Sequence, residues 1–446
     1  MLPIVGVPKT IQRGLLPYRT LFGRAEGFEH VSRYVTGLIL SANKTLQGIY
    51  DGQVWAGEKP SRRAMHEAVF EAGWDADGLL ARHRAVIAPE HQGRGREVIG
   101  LDWTLLHHER GPEIYGVTKS YDYVARRMGR FQTVVTAVVA NRTLIDGIEL
   151  QVQNPSTQEE EAIYLKATVQ ASYEQMGQAR ERLLELLHHF QHRLAYKKRT
   201  EMVIEIVAYI EEEGHFPQAH YAFDNGVLTL ELTRLIESKG KHWVSELESS
   251  RHILWEEQWR RIDEVAAELR REHSGSFRVV QVRCRNGEQK PFWVFTKTVR
   301  LKRYGRKRIV IVHERSDLTD SPRVLVTDAL HWESGRIIET WSFRWAAELF
   351  HEFSKQGTGL EAAQVRNEEA VKRHLRLSCL AQSLLQRVPA VASTSEKFAF
   401  AEGEITFGQR CRAIGREVLH SFLSVAKRLF ADGFSCEQVA EVLMPT

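Results

Sequence analysis

Apolar residues in the first ninety positions recur three and four residues apart, which is the spacing of amphipathic helices. The clearest run is Phe28, Val31, Tyr34, Val35, Leu38 and Ile39. Ser61 precedes a second amphipathic stretch, and Ser is favoured just before the first turn of a helix. A polar, glycine-rich break over 89–97 ends this pattern. Residues 1–92 are therefore predicted to form a helical region.

From residue 98 the apolar positions form short runs rich in β-branched side chains. VIGLDW begins the series, followed by RFQTVVTAVVAN (130–141) and TLIDGIELQVQ (143–153). These runs predict three consecutive strands, the last two antiparallel. A helical stretch from about 159 to 213 precedes a strand at 220–226, an amphipathic helix closed by Gly240 and a strand at 241–247. This order predicts a mixed α/β sheet over 93–253.

Strand-type runs return between 274 and 328, where Asn-Gly, Tyr-Gly and Ser-Pro turns separate them. Helical periodicity resumes from about 337 to 385, and small residues over 388–396 indicate a linker. The pattern therefore predicts an α/β protein, with three segments after residue 253. They are a β-rich segment with a basic hairpin (254–332), a helical segment (333–388), and a linker with a helical tail (389–446).

Composition narrows the classes of protein that fit this pattern. Apolar residues make up 43 % and charged residues 26 % of the 446 residues, which excludes a disordered protein. No apolar run approaches the roughly 20 residues of a membrane span, and Pro, Lys and Arg interrupt the apolar stretches at the start, unlike a signal peptide. Four scattered cysteines without a C-x-x-C pair favour reduced thiols and a cytoplasmic protein.

The net charge of +4 conceals one strongly basic segment. Residues 281–310 hold ten Lys or Arg against one acid, so the rest of the chain carries five net negative charges. A basic hairpin suits DNA, because each phosphate that it neutralises releases counterions. The predicted DNA-binding residues of this strip are Lys297, Arg300, Lys302, Arg303, Arg306, Lys307 and Arg308. An edge hairpin that is charged against aggregation is the alternative.

Trp293 lies in the same basic segment and has two interpretations. Aromatic side chains stack on unpaired bases, so this residue is a candidate for contact with a displaced nucleotide. A place in the hydrophobic core is at least as compatible with the apolar run around it.

Two aspartates are predicted at the ends of strands in the α/β sheet. Asp102 ends the first strand, and Asp224 ends a later one just before a helix. Strand ends are where α/β sheets place their sites. Aspartates at adjacent strand ends can share a divalent metal, and phosphoryl transfer commonly uses two such ions about 4 Å apart. A third carboxylate normally completes such a site.

The third carboxylate is predicted in the helical segment ETWSFRWAAELFHEFSK. Four side chains would project within an arc of about 60° if this segment were one continuous helix. They are Trp341, Arg344, Glu348 and Lys355. An acid for metal flanked by two cations for phosphate suits chemistry on DNA.

Each acid has an alternative interpretation or a rival. Asp224 alone could cap the helix that follows it, and Asp328 ends another apolar strand. Glu352 projects close to Glu348 on the predicted helix. The combination of chain order, strand ends and helical face favours Asp102, Asp224 and Glu348.

The same residues carry a resemblance to bacterial insertion-sequence transposases of the DDE class. The spacing W-x2-R-x3-E-x6-K resembles the Y-x2-R-x3-E-x6-K signature of that family, with Trp341 in place of the usual Tyr. IGLDWT resembles the strand of the first Asp, and FDNG with the later GKHWVSELESSRHI resembles the region of the second Asp. The resemblance spans about residues 98–385.

This resemblance implies an RNase H-like core, a mostly β insertion before the catalytic helix, and a metal triad of Asp102, Asp224 and Glu348. It implies two Mg²⁺ ions, for which Mn²⁺ substitutes. Arg344, Lys355 and Trp341 would contact DNA. The chain would cut double-stranded DNA at the inverted repeats of an element and join the freed 3′-OH to target DNA.

The resemblance also implies partners and a location. A homodimer would bind paired ends, with residues 1–92 gripping them, in the bacterial cytoplasm at the nucleoid. Neither a membrane nor a small-molecule substrate is expected. The alternatives are an RNase H-like endonuclease without strand transfer and a domesticated DNA-binding protein. Tyr121 and Tyr123 prompt a tyrosine-recombinase alternative, but the sequence shows no matching constellation of Arg and His.

Overall fold

One large sheet dominates the fold. The computed structural model describes residues 3–55, 59–154, 196–285, 287–390 and 405–443. Its strands are β1 (Ile4–Val5), β2 (Gln53–Val54), β3 (Val98–His107), β4 (Thr118–Asp122), β5 (Arg127–Ala140), β6 (Ile145–Val152), β7 (His220–Phe223), β8 (Trp243–Glu246), β9 (His252–Trp255), β10 (Gln258–Arg261), β11 (Arg278–Arg283), β12 (Gln289–Leu301), β13 (Gly305–His313) and β14 (Arg323–Thr327). β1 and β2 form a small parallel pair, and the other twelve strands join in a single sheet.

Helices flank this sheet and make up most of the N-terminal and C-terminal regions that the structure describes. They are α1 (Lys9–Leu15), α2 (Ala25–Leu40), α3 (Leu46–Asp51), α4 (Arg62–His66), α5 (Gly78–His91), α6 (Arg199–Glu213), α7 (Leu230–Ser238), α8 (Ile262–Glu272), α9 (Ser334–Ser342), α10 (Trp345–Thr358), α11 (Glu368–Gln386), α12 (Phe407–Ala431) and α13 (Cys436–Leu443). The predicted helical character of the N-terminal and C-terminal regions is confirmed.

Five strands reproduce the topology of an RNase H-like sheet. They lie side by side in the order β6, β5, β3, β7, β8. β5 runs antiparallel to both β3 and β6, whereas β7 runs parallel to β3 and β8 runs parallel to β7. The predicted α/β fold with an RNase H-like core is therefore confirmed.

The strands of the β-rich insertion extend this same sheet. β14 pairs antiparallel with β8, and β13, β12, β9 and β10 continue outward from it. β11 pairs with another part of β12. The outer edge of β8 is thereby covered by β14, which removes an unpaired strand edge from the core.

The two faces of the sheet carry separate hydrophobic clusters, because successive residues of a strand point to opposite faces. Ile99 and Leu101 of β3 belong to a cluster that includes residues of α6 and α7. Val98 of β3 and Ala222 of β7 belong to a second cluster with residues of α10 and α11. The even-numbered side of β3 therefore faces α10.

The N-terminal helices share a hydrophobic core with α11. Buried residues of α1 and α2 belong to one cluster with Leu377 and Leu380. Nε2 of His374 lies 2.8 Å from the carbonyl oxygen of Gly359, so this nitrogen is the donor and Nδ1 accepts from the Tyr34 hydroxyl at 2.8 Å. Burial lowers the pKa of His374 to about 4, in agreement with a neutral ring. The N-terminal region is thus bonded to the turn that follows α10.

Several details depart from the elements that the sequence pattern predicts. The pattern does not predict β4, because that strand is mostly exposed and lacks apolar alternation. Residues 155–195, which hold most of the predicted long helix, and 391–404, which hold part of the predicted linker, lie outside the described residues. The last part of that helix is confirmed as α6.

The four cysteines are free thiols, as the sequence predicts. Among the described residues, no helix has both the length and the apolar character that a membrane crossing requires.

We predict that Gly147→Ala destabilises the fold. A Cβ on Gly147 of β6 would lie 2.5 Å from Cζ of Phe350 on α10 and 2.7 Å from Sγ of Cys379 on α11. Overpacking of this kind costs about 1–3 kcal/mol, so the midpoint of urea unfolding should fall. Gly129→Ala is the control, because its Cβ would be 3.7 Å from the nearest atom, in Phe131. Equal midpoints for the two variants would show that Gly147 is not needed to seat α10.

Candidate active site

Parallel pairing of β3 and β7 places two carboxylates next to each other. Leu101 pairs with Phe223, the last residue of β7, so Asp102 and Asp224 come next on neighbouring strands. Such strands lie about 4.8 Å apart, and laterally paired residues point to the same face. The prediction that Asp102 ends its strand is wrong, because β3 continues along β5 as far as His107.

Helix α10 covers the face to which these two aspartates point. A Cβ on Gly100 would lie 3.6 Å from the Cβ of Ala347 on α10, and Asp102 is two residues further along the same side of β3. Ala346, Ala347 and Phe350 of α10 are fully buried against the sheet. Glu348 lies in the first turn of this helix.

Arg344 joins the second aspartate to the glutamate. Its Nη1 donates to Oδ2 of Asp224 at 3.1 Å and lies 2.7 Å from Oε1 of Glu348. The Arg344 side chain is only 11 % exposed, whereas those of Asp224 and Glu348 are 40 % and 36 % exposed. A largely buried cation therefore sits between two acids that remain open to solvent.

Asp102 belongs to the same electrostatic cluster. Burial, together with the negative charges of Asp224 and Glu348, raises the pKa of its carboxyl to about 7. The backbone N–H of Trp103, which donates to Oδ1 at 2.8 Å, and the charge of Arg344 act in the opposite direction. One guanidinium does not compensate three carboxylates, so the cluster has an excess of negative charge.

The donor set of this cluster suits a hard divalent cation. Carboxylate oxygens are the ligands that Mg²⁺ and Mn²⁺ prefer, and a bound cation would offset the cost of ionising the buried Asp102 carboxyl beside two other acids. Within the described residues, no three His, Cys, Asp or Glu side chains already surround one ion-sized point. The acids are gathered about Arg344 instead, and its guanidinium lies where positive charge is needed.

The segment from Trp341 to Lys355 is not the single helix that the sequence analysis assumes. α9 ends at Ser342 and α10 begins at Trp345. Between them the N–H groups of Phe343 and Arg344 bond to carbonyls three residues back, which tightens the turn. The predicted shared arc of about 60° is therefore wrong for Trp341.

Trp341 nevertheless lies beside the cluster. Its ring centroid is 5.3 Å from the guanidinium carbon of Arg344 and 4.4 Å from that of Arg323. The ring is partly buried and packs against the hydrophobic cluster of the β-rich insertion.

Lys355 is held by strand β3. Its Nζ donates to the Leu105 carbonyl oxygen at 2.7 Å and lies 3.4 Å from a carboxylate oxygen of Glu361. It sits two helical turns beyond Glu348, on the side of the sheet where β3 continues past Asp102.

The rival acids lie elsewhere or point away. Thr229, not Asp224, caps α7 by accepting from the N–H of Leu232. Asp328 follows β14, which runs antiparallel to β8. It bonds His242 and the N–H of Trp243 beside the start of β8, at the opposite strand ends from Asp224. Glu352 is exposed and accepts from the side chain of Gln356.

Two further contacts position the site and are not evident in the sequence. The Thr136 hydroxyl on β5 bonds Nε2 of His351 on α10 at 2.8 Å, which fixes the helix over the strands. Burial lowers the pKa of His351 to about 3, so the ring stays neutral. The Trp103 ring packs on Gly226, just after Asp224, with Arg199 of α6 on the ring at 4.4 Å. For the contact between Trp103 and Gly226, the sequence offers only two indications, which are a Trp directly after the first Asp and a Gly two residues after the second.

The predicted basic strip divides into exposed and internally bonded residues. Arg300, Lys302, Arg303 and Arg306 are exposed on the β12–β13 hairpin, with no ion pair among the described residues. Lys297 is exposed too, with its ammonium 3.9 Å from the centre of the Trp255 ring. The remaining members bond within the protein. Lys307 is buried 3.0 Å from Glu237, and Arg308 donates to Thr296 and to the Leu330 carbonyl.

Trp293 lies on β12, partly buried against the larger hydrophobic cluster. This position is that of a residue at the margin of the core.

Comparison with known proteins bears on the family of the chain. A search of curated proteins finds no significant match. Residues 17–252, just over half of the chain, match the family described as DDE superfamily endonuclease. The matched region contains Asp102 and Asp224 and ends before Glu348. Members of this superfamily act on DNA as endonucleases or transposases and generally use divalent metals. The chain therefore belongs to the DDE superfamily of endonucleases.

Proposed function

We propose that the chain is the transposase of an insertion sequence, which cuts the ends of its element and joins the freed 3′-OH to target DNA. The observation that carries the proposal is the convergence of Asp102, Asp224 and Glu348 about Arg344 on one face of an RNase H-like sheet. The order strand, strand, helix for three acids is the order in the transposases that the sequence resembles.

The three carboxylates would hold Mg²⁺, with Mn²⁺ as a substitute. Two such ions activate an attacking oxygen and stabilise a leaving oxygen in phosphoryl transfer. Arg344 then exchanges its carboxylate partners for a phosphate near the scissile bond, because a guanidinium binds both groups in the same bidentate way. Lys355, fixed on β3 by the Leu105 carbonyl, offers a second charge to the same strand of DNA.

The exposed cations of the β12–β13 hairpin are within reach of the site. The Tyr304 hydroxyl, at the hairpin tip, donates to the Leu228 carbonyl oxygen at 3.3 Å, and Leu228 is four residues after Asp224. DNA that enters the active site would therefore pass this basic tip. Residues 1–92 would bind the inverted repeats and a homodimer would hold two ends, in the bacterial cytoplasm at the nucleoid.

We predict that Asp224→Asn or Glu348→Gln lowers Mg²⁺-dependent cleavage of the element end by at least a hundredfold, roughly the loss when one preorganised group is removed from such a site. Asp328→Asn and Glu352→Gln are matched controls and should cleave normally, because both acids lie outside the cluster. The measurement is the initial rate on labelled end duplex, with joined product scored on the same gel.

The outcomes of this assay separate the candidate functions. Cleavage with joining supports the transposase, whereas cleavage without joined product identifies an endonuclease. Full activity of Asp224→Asn would remove that residue from the triad. Binding without any cleavage by the unaltered chain would favour a domesticated DNA-binding protein.

We predict that Arg344→Ala tightens binding of Mn²⁺ to the protein in the absence of DNA. Removal of the guanidinium leaves Asp224 and Glu348 without their nearest positive charge, so a divalent cation should bind about tenfold more tightly, a gain of about 1.4 kcal/mol. DNA cleavage should fall at the same time. Isothermal titration measures the affinity, and Arg344→Lys, which keeps a charge, should change it less. Unchanged Mn²⁺ affinity in Arg344→Ala would show that the guanidinium and the metal do not compete.

We predict that alanine at Arg300, Lys302, Arg303 and Arg306 together weakens DNA binding and reduces its salt dependence. Each lost phosphate contact lowers the slope of log affinity against log salt by about 0.9, so a reduction between three and four is expected. Lys307→Met is the control, because that ammonium is buried beside Glu237 and should leave the slope unchanged. An unaltered slope in the fourfold variant would assign the hairpin charge to edge protection.

A further inference from the structure

The β4–β5 hairpin carries exposed apolar side chains at its tip. The hairpin extends β3 and β5 beyond the level at which β7 ends at Phe223. Its tip presents Tyr123 and Val124, which are 83 % and 91 % exposed, and Tyr121 and Met128 flank them. Apolar side chains this exposed at the end of a projecting hairpin indicate a surface that meets another molecule.

Cations surround this apolar tip. Residues 118–130 contain four Lys or Arg and a single acid, Asp122. Lys119, Arg126 and Arg130 are exposed and form no ion pair with any described residue. Arg127 pairs with Glu109 at 3.1 Å, and both of these side chains are exposed. The tip therefore combines an apolar point with three uncompensated positive charges, a combination that suits DNA and disfavours a like-charged copy of the same hairpin.

The hairpin tip is held in place rather than left free to move. Oδ1 of Asp122 accepts from the N–H groups of Val124 and Ala125, at 2.8 and 3.0 Å. Its Oδ2 lies 2.9 Å from Nε2 of His107, the last residue of β3. The one acid of the segment is thus buried and fixes the tip to β3.

A cleft beside β3 is lined by residues that contact Lys355 on one side and the hairpin on the other. The cleft has a volume of about 410 Å³, and its lining includes His107, Arg110, Glu361 and Arg366. Glu361 is the residue that contacts Lys355, and His107 is the residue that anchors Asp122. The side chains of Arg110 and Arg366 form no ion pair with any described residue. Two exposed cations without ion pairs to described residues, Arg110 and Arg366, therefore lie in the cleft between Lys355 and the hairpin.

The strand register gives the distance along the sheet from Asp102 to the hairpin. Asp102 pairs with Thr136, and nine residues along β5 separate Thr136 from Arg127 at the hairpin. At about 3.3 Å per residue this distance is about 30 Å. One helical turn of B-DNA measures about 34–36 Å, so a duplex that lies along the strand would present the same groove near the tip and near the acids.

We propose that the β4–β5 hairpin is a DNA-binding element that grips the duplex about one helical turn from the scissile phosphate. Tyr123 and Val124 enter the groove, and Lys119, Arg126 and Arg130 contact the phosphates on either side. This inference rests on the proposed function, since it takes the position of the scissile phosphate from the acid cluster. The hairpin would set how far into the active site the duplex extends.

Two variants of the full-length chain test the hairpin. The cation variant combines Lys119→Ala, Arg126→Ala and Arg130→Ala, and the tip variant combines Tyr123→Ser and Val124→Ser. The control combines Arg412→Ala, Lys427→Ala and Arg428→Ala, which removes the same charge from exposed positions of α12. All substituted side chains are exposed, so melting temperatures should stay close to that of the unaltered chain.

The first measurement is affinity for a generic duplex in EDTA at several salt concentrations. The cation variant should lower the slope of log affinity against log salt by about three, and the control should not change it. The tip variant should bind roughly tenfold more weakly with an unaltered slope, because apolar contact is lost without loss of charge. Wild-type affinity in both variants would overturn the proposal, as would an equal loss in the control.

The second measurement is a hydroxyl-radical footprint on the end duplex that the unaltered chain cleaves with Mg²⁺. Protection about one helical turn from the cut should vanish in both hairpin variants, while protection at the cut remains. A footprint that is lost only at the cut, or not at all, contradicts the hairpin position. A chain that binds DNA through the hairpin but never cleaves would refute the transposase function and leave the hairpin contact standing. A change in sedimentation without a change in DNA binding would make the tip a protein interface and overturn the proposal.

Discussion

The parallel pairing of β3 with β7 is the constraint on which the active site depends. With Leu101 opposite Phe223, Asp102 and Asp224 fall side by side and point to the same face. A slip of one residue would turn one of the two aspartates to the face that carries α6 and α7. The register is fixed from both sides, because Ile99 and Leu101 are buried in one cluster while Val98 and Ala222 are buried in the other. The hydrophobic core therefore sets the distance between the two carboxylates.

The third carboxylate depends on how α10 is seated over these strands. Gly147 leaves space for the Phe350 ring, and Thr136 bonds His351 one turn of helix beyond Ala347. The chain of bonds from Tyr34 through His374 to Gly359 ties the end of the same helix to the N-terminal region. These bonds connect the N-terminal region, which we propose binds the DNA ends, to the end of the helix that carries Glu348.

The sequence predicted the order and type of most elements because each one has a local periodicity that follows from its own burial. The sequence also singled out the three acids that the fold gathers about Arg344, because chain order, strand context, the helical face and the family resemblance limited the candidates, and their role as metal ligands stays a prediction. Long-range strand pairing has no local signature in the sequence. The mid-strand position of Asp102, and the position of Asp328 at the other ends of the strands, are therefore known only from the strand pairing in the structure. The break before Trp345 was missed for a related reason. Its three-residue hydrogen bonds arise where Phe343 is buried and Arg344 turns to the acids, and no Gly or Pro marks the place.

The contacts of each cation decide how much positive charge the protein presents at its surface. Lys307 and Arg308 lie in the basic segment but bond within the protein, so they add little to the field outside it. Lys119, Arg126 and Arg130 lie outside that segment, in a part of the sequence that is not strongly basic. They nevertheless face solvent without ion pairs among the described residues. Counting charges along the sequence therefore overstates one hairpin and overlooks another. Among the uncompensated cations, those that we propose for DNA contact lie on two hairpins that extend from the same sheet as Asp102 and Asp224.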